Sequence, residues 1–386
     1  SGPAGRTAGI FVRGTNSDHV IVMVDGVQIN SLTTGSAELA DLTTENILPA
    51  ENIDRIEILR GPQSVLYGAD ALAGIINIVT KAGGKKGLHA SGRFEYGTHE
   101  TFYETGGLSG EWDRFAFSGS GGRLDSEGPG ENDDFEDTRG FAHGKYQVTE
   151  NSDIDIAFHY YNALVGIDDG AFSQDPNFWN KSRSQTVNAK YTISLVDDWV
   201  QSVKYSFFHD VLLSGDPPDP GTRQTARLNK FDSDRHTFEY QSDIYIADFD
   251  VLTLGYEFEH AAANAKPRFD RLTRNHGWFA QNELTLWKNW TIVGGIRLDH
   301  HELFGTEASP LVSSGLWIAK TLTKFKGSFG RGFKAPSFNQ LFFPNFGNPN
   351  VQPEKNWGWD AGFEQYYWKQ KGMFSAAYFH NSIEDL

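Results

Sequence analysis

The chain has 386 residues, with 41 Gly, 29 Phe, 14 Tyr and 10 Trp but only 2 Met, a bias toward strands and turns and away from helices. It has no Cys, which excludes disulfide frameworks, thiolate zinc sites and cysteine nucleophiles. A formal net charge of −16 argues against nucleic acid, whose phosphates demand a basic face, and the absence of any apolar run of about 18 residues excludes a transmembrane helix while leaving membrane strands open.

The first residues lack the regions of a signal peptide. Residues 10–13, 20–24, 53–59 and 75–80 then read as short, nearly continuous apolar strands with Gly-rich turns, and residues 63–67 as a helical turn. They make a small αβ domain over residues 1–82. Around residues 81–87 the texture changes, and residues 83–386 form a long series of alternating strands. Ile154, Ile156, Phe158 and Tyr160 share one face while Asp153, Asp155, Ala157 and His159 share the other. Leu252, Leu254, Tyr256 and Phe258 likewise oppose Thr253, Gly255, Glu257 and Glu259, so each strand has an oily and a polar face.

Some connections are very short, such as Asp197-Asp198 before Trp199 and Lys288-Asn289 before Trp290. Others are long and polar: residues 125–140, 164–184, 214–234, 264–275 and 336–356. This alternation is what a membrane barrel produces, with tight hairpins at one end and working loops at the other. Trp199 and Trp290 stand where an aromatic girdle belongs. The expected fold is therefore mainly β, an antiparallel transmembrane β-barrel with about fifteen strands present, facing outer-membrane lipid with Ile154, Ile156, Phe158, Leu252, Leu254, Tyr256 and Phe258. An open sheet edge cannot face lipid, so the sequence is expected to be part of a longer protein.

In the first domain a set of words occurs in order: Phe11-Val12-Arg13-Gly14, Asp25-Gly26-Val27, Arg55-Ile56-Glu57-Ile58-Leu59-Arg60-Gly61-Pro62, Leu66-Tyr67-Gly68 and Gly74-Ile75-Ile76-Asn77-Ile78-Val79-Thr80. Together they resemble the plug domain of TonB-dependent outer-membrane receptors. That likeness implies a 22-stranded barrel with the plug inside its lumen, a monomer, no catalysis, and coupling to TonB and an inner-membrane motor through a segment N-terminal to Ser1. Within the family the words Gly35-Ser36-Ala37-Glu38-Leu39, Phe333-Lys334-Ala335-Pro336 and Gly347-Asn348-Pro349-Asn350 are most similar to the vitamin B12 (cobalamin) receptors. An iron-siderophore or haem receptor is the rival cargo class, and a passive channel the rival function.

By position, the likeness implies ligand-facing groups at Thr7, Gly9, Asn16, Thr33 and Thr34, small polar residues suited to hydrogen-bonding a polar ligand. Residues 131–137 crowd five carboxylates into seven positions. Asp125, Asp133 and Asp134, joined by Asp168 or Asp169, are expected to hold calcium in the outer loops, since calcium takes six to eight oxygens; a merely solvated acidic loop is the other reading. Arg13 and Arg60 are expected to pair with acidic groups of the barrel wall, with Glu239 and Glu283 as candidates, because an unpaired buried charge is costly. No catalytic constellation is present: His300-His301-Glu302 lacks metal-ligand spacing, and there is no phosphate loop or Gly-x-Ser-x-Gly elbow.

Overall fold

The computed structural model describes residues 9–34, 52–61, 64–68, 70–83, 86–168, 175–219 and 224–385. Its first sheet grows around β1 (Val20–Val24), whose five apolar side chains are all buried. A strand apolar on both faces needs cover on both. β1 pairs antiparallel with β2 (Val27–Gln28) and parallel with β4 (Gly74–Thr80), and β4 pairs antiparallel with β3 (Ile53–Arg60), giving the order β2-β1-β4-β3. Asp25 and Gly26, with φ of 48° and 76°, close the β1–β2 hairpin with the two left-handed positions that an Asp-Gly turn supplies. A one-turn helix, α1 (Ser64–Tyr67), follows β3.

Residues 10–13 are not the expected strand. Arg13 and Gly14 have φ of 54° and 80°, and the N–H and hydroxyl of Thr15 both donate to the Val12 carbonyl. The segment satisfies its backbone within its own turn and offers no ladder to a neighbour.

The second sheet is a meander of fifteen strands: β5 (Gly87–Gly97), β6 (Thr101–Trp112), β7 (Phe115–Ser126), β8 (Phe135–Thr149), β9 (Ser152–Gly166), β10 (Trp179–Val196), β11 (Trp199–Asp216), β12 (Arg227–Ala247), β13 (Asp250–Ala265), β14 (Phe269–Leu286), β15 (Trp290–His301), β16 (Gly305–Ile318), β17 (Thr323–Lys334), β18 (Glu354–Tyr367) and β19 (Gly372–Glu384). Each pairs antiparallel with the next, and β5 and β19 are the edges. A second short helix, α2 (Phe338–Phe342), lies between β17 and β18.

The oily face of the alternation points outward. Ile156, Phe158 and Leu254 are 48%, 39% and 40% exposed, whereas Ala157, His159 and Thr253 are buried on the concave side. Glu257 and Glu259 line a cavity shared with the first sheet. Core clusters join the two parts: Val24 packs on Phe141, and Val65 on Phe279 and Leu311. At the short-turn end Trp199 donates through Nε1 to Ser242 Oγ at 2.7 Å and Trp290 to Ser314 Oγ at 2.8 Å, while Trp287 stacks on Trp290.

At the other end the strands run further than expected. β12 has 21 residues, about twice what a tilted strand needs to cross a bilayer. Residues 264–275, read as a loop, are strand except for the turn at 266–268. There, Ala261, Ala263 and Ala265 put apolar side chains on the inward face, so the hydrophobic period fades while backbone pairing continues.

Candidate functional site at the apex of the inner domain

The apex is the loop after β2. Asn30 fixes it from within: its Oδ1 accepts from Val22 N–H and its Nδ2 donates to the Val20 carbonyl, both at 2.9 Å. Arg235 of β12 grips it from outside by donating to the Gln28 carbonyl at 3.2 Å. Leu32 then inserts into a pocket of Ala261, Ala263, Ala265, Phe269 and Phe338. The backbone carbonyls of Leu32 and Thr33 accept from Phe338 and Asn339 N–H at 3.1 Å. α2 is held in place for this by a capping box, Ser337 to Gln340 and back. The loop between β17 and β18 thus folds inward over the apex.

Around this contact aromatic rings carry guanidinium groups. Arg268 lies 5.0 Å from the Phe343 ring and 5.8 Å from Phe231, and Arg271 lies 5.2 Å from Phe342. Below the apex is a cavity of about 270 Å³ lined by Gln28, Tyr67, Asp70, Lys204, Arg235 and Glu257 among others. Several of its wall charges are paired: Lys204 with Glu239 at 2.8 Å, Arg235 with Glu259 at 3.4 Å, and Glu257 with the fully buried Arg297 at 2.7 Å, which also meets Asp299 at 2.9 Å.

Two polar attachments seat the inner domain. On one side Asp25 accepts from Thr80 N–H and Thr80 Oγ1, each at 2.7 Å, and lies 2.8 Å from His159 Nε2. Thr80 Oγ1 also meets His143 Nδ1 at 2.7 Å, and Asn188 donates to the Asp25 carbonyl. Burial pushes the Asp25 carboxyl up, but His159 and Thr80 outweigh it and hold it below the usual carboxylate value. On the other side the buried Lys334 Nζ lies 2.8 Å from Asp18 and 3.4 Å from Glu354, which meets His19 Nε2 at 2.6 Å. Burial again works against the Asp18 charge, and Lys334 outweighs it. Asp70 receives the Ala335 N–H at 3.1 Å, yet burial wins there and raises its carboxyl above the ordinary value in spite of Arg235 and Lys334.

The residues singled out from sequence fall into distinct places. Gly9 and Asn16 are exposed, and Asn16 caps the turn of residues 17–19 without a side-chain bond. Thr33 is buried, its hydroxyl 2.9 Å from Ser31 Oγ, and Thr34 is half-buried. Thr7 and Asp169 lie outside the described residues. Asp125 is held by Arg123, which also takes Glu136. Asp133 is buried, Asp134 exposed and Asp168 half-buried.

Among the described residues, the clusters of three whose ligand atoms converge are Asp18, His19 and Glu354, and His209, Asp232 and Asp234. The carboxylates of residues 125–137 do not form one. Arg13 pairs with Asp360 of β18 at 2.9 Å, not with Glu239 or Glu283. Glu239 is taken by Lys204, Glu283 is exposed on β14, and Arg60 is exposed on β3. The error has a physical cause, since strand pattern gives the face of a residue but not which distant strand it meets. Sequence reasoning also missed Lys334, His159 and Arg297. Lys334 stood within a quoted word, but as a marker of likeness and not as a charge in search of partners.

Residues 101–386 match the family model described as "TonB dependent receptor-like, beta-barrel", and residues 1–75 match "TonB-dependent Receptor Plug Domain". The Vitamin B12 transporter BtuB of Photobacterium profundum is 26% identical over 367 residues, covering 92% of this chain and 57% of the relative. That of Vibrio vulnificus is 27% identical over 403 residues, covering 100% and 62%. The chain spans about three fifths of the length of these curated relatives. Among solved structures, the siderophore receptor PirA from Acinetobacter baumannii superposes with a TM-score of 0.77 at 17% identity, over 100% of this chain and 66% of that one. The copper transporter OprC gives 0.81 at 14%, over 99% and 66%. At these identities the likeness is one of fold.

Proposed function

Because the chain belongs to the TonB-dependent receptor family, whose members are outer-membrane β-barrel transporters and not enzymes, we propose that the whole protein imports cobalamin across the bacterial outer membrane. The observation that carries the transport reading is how the plug is seated. Beside the apolar contacts of Val24, Leu32 and Val65, its links to the wall include ion pairs and hydrogen bonds through Asp25, Lys334 and Arg13. Water can replace such links one by one, whereas separating a continuous apolar interface exposes its whole area at once. A plug held this way blocks the lumen at rest and yields to a directed pull. TonB and its inner-membrane motor supply that pull. The ligand docks on the apex and the inward-folded loop that carries α2, and its contact with Leu32 and Thr33 gives the outer surface a mechanical connection to β1 and β2.

Cobalamin is favoured over other cargo because both curated relatives described above are vitamin B12 transporters and align along 92–100% of this chain. The siderophore receptors support only the shared fold. Calorimetric titration of the full-length protein with cobalamin and with ferric siderophores tests the assignment. Binding of cobalamin alone is the expected result; binding of a ferric chelate alone would move the protein to the iron class. Liposome swelling in sugars, expected to be absent, would expose an open channel.

A further inference from the structure

Five of the chain's 12 histidines stand on five adjacent strands, at one level and on the outward face. His209 is ten residues beyond Trp199, which opens β11; His260 is ten beyond Asp250, which opens β13; and His300 is ten beyond Trp290, which opens β15. His236 and His276 lie eleven and ten residues before Ala247 and Leu286, which close β12 and β14. All five therefore lie within one residue of the same distance from the short-turn end with its tryptophans. Ten residues span about 33 Å along a strand, or about 25 Å of height at the usual tilt, which is the height of the apolar band of an outer-membrane barrel. The row stands at the far edge of that band.

Each histidine follows or precedes a buried, inward residue: Phe208, Arg235, Ala261, Asn275 and Asp299. Each side chain therefore points away from the lumen. His236 is the cross-strand partner of His260, with ring centres 6.0 Å apart, and His276 is the partner of His300. Toward the short-turn end the same face carries Phe238, Tyr240, Leu254, Trp278 and Leu298.

The hydrogen bonds give the row a common orientation. Tyr205 Oη meets His236 Nδ1 and Tyr256 Oη meets His276 Nδ1, both at 2.8 Å; Thr306 Oγ1 meets His300 Nδ1 at 3.0 Å; and Asp234 meets His209 Nδ1 at 2.8 Å. A hydroxyl donating to Nδ1 leaves the neutral ring with its proton on Nε2. With the Tyr205, Tyr256 and Thr306 hydroxyls as the donors, the rings of His236, His276 and His300 carry Nε2–H on the side away from those hydroxyls. Arg274, directly across from His260, adds an exposed guanidinium that forms no ion pair among the described residues. The nearby carboxylates Asp232 and Asp234 are engaged by Lys230 and His209.

We infer that this histidine row is a binding surface for the phosphate groups of lipid headgroups in the outer leaflet. N–H donors and a guanidinium at headgroup depth, above an apolar band, match an anionic oxygen cluster on an acyl-chain anchor. The inference rests on the membrane-barrel reading given above but not on the identity of the cargo.

The test uses native mass spectrometry of the full-length protein, offered a phosphorylated glucosamine-disaccharide lipid and the same lipid without phosphate. Wild type is expected to retain the phosphorylated lipid with a preference on the order of tenfold, the worth of one charge-assisted hydrogen bond. The His236→Leu, Arg274→Leu, His276→Leu, His300→Leu variant removes the three Nε2–H donors and the guanidinium of the row; shown to be folded by its heat-modifiable migration, it is expected to lose that preference while binding cobalamin as wild type does. No preference in wild type, or an undiminished preference in the variant, overturns the inference and leaves the cargo assignment standing. Inorganic phosphate bound by the row without any lipid preference also overturns it.

Discussion

The carboxylate of Asp25, in the hairpin turn of the plug, lies 2.8 Å from Nε2 of His159 on the barrel wall. That one carboxylate also receives the backbone and hydroxyl of Thr80, so it ties the end of β1, the end of β4 and the wall together. Asp25→Asn removes the charge and one of the two acceptor oxygens shared by His159 and Thr80. We expect it to weaken seating of the plug by about 2 to 4 kcal/mol. Hydrogen exchange of the β1 and β4 amides reads this out as faster opening; unchanged exchange would show that the turn is held by packing alone.

Acidification should act in the same direction. Asp25 and Asp18 are both held below their ordinary values in the folded state. Their stabilisation is present above the unfolded value of about 4 and is lost as pH falls through the folded values. Asp70 has the opposite sign: its carboxyl is raised by burial, so its ionised form opposes folding at neutral pH. Asp70→Asn should therefore leave the plug as stable or more stable at pH 7, while Asp25→Asn loosens it. Plug exchange measured for both variants at neutral pH checks the contrast.

Lys334 lies between Asp18 and Glu354, with His19 beside it. Its replacement in Lys334→Met leaves two half-buried carboxylates facing each other beside Asp70. A loss of about 3 to 5 kcal/mol is expected for breaking such a pair from one side, visible as protease cleavage within the plug. Glu354→Gln in the same background should recover part of it.

Arg13 and Asp360 couple the Val12–Thr15 turn to β18, and the Phe379 ring centre lies 5.1 Å from the guanidinium carbon. The pair is only partly shielded, so a double-mutant cycle with Arg13→Ala and Asp360→Ala should give a coupling of about 1 kcal/mol. A coupling near zero would assign Arg13 to local turn geometry.

On the lipid side, Leu254→Arg should destabilise the barrel by about 2 to 4 kcal/mol if it lies near the midplane, whereas Thr253→Ser, one residue away on the lumen face, should be nearly silent. Reversible unfolding in lipid vesicles compares the two.

Calcium in the outer loops is our proposal for Asp133, Asp134 and Asp168. Ordering that loop before the ligand arrives would tighten ligand binding, and the ligand would tighten calcium by the same factor. Cobalamin affinity should fall several-fold in chelator for wild type and should ignore calcium in Asp133→Ala, Asp134→Ala. Equal wild-type affinity with and without calcium would reduce the segment to a solvated acidic loop.

The sequence by itself determined the plug-then-wall organisation, a wall of about fifteen strands and the outward face of the two segments around Ile156 and Leu254, because a period of two is imposed by the pleat and survives whatever the strand pairs with. The Asp25-Gly26 turn depends only on local φ and was therefore legible in principle, but it was read only as a mark of likeness. The tertiary structure alone decided the partners. Arg13 meets Asp360 across 347 positions and Lys334 meets Asp18 across 316, and no local pattern encodes which of many lumen-facing carboxylates a given cation reaches. It also decided that Thr33 is covered by α2, because that depends on a loop folding inward onto Leu32. And it turned scattered histidines into a row, since near-equal distance from the turns becomes a common height only when the strands stand side by side.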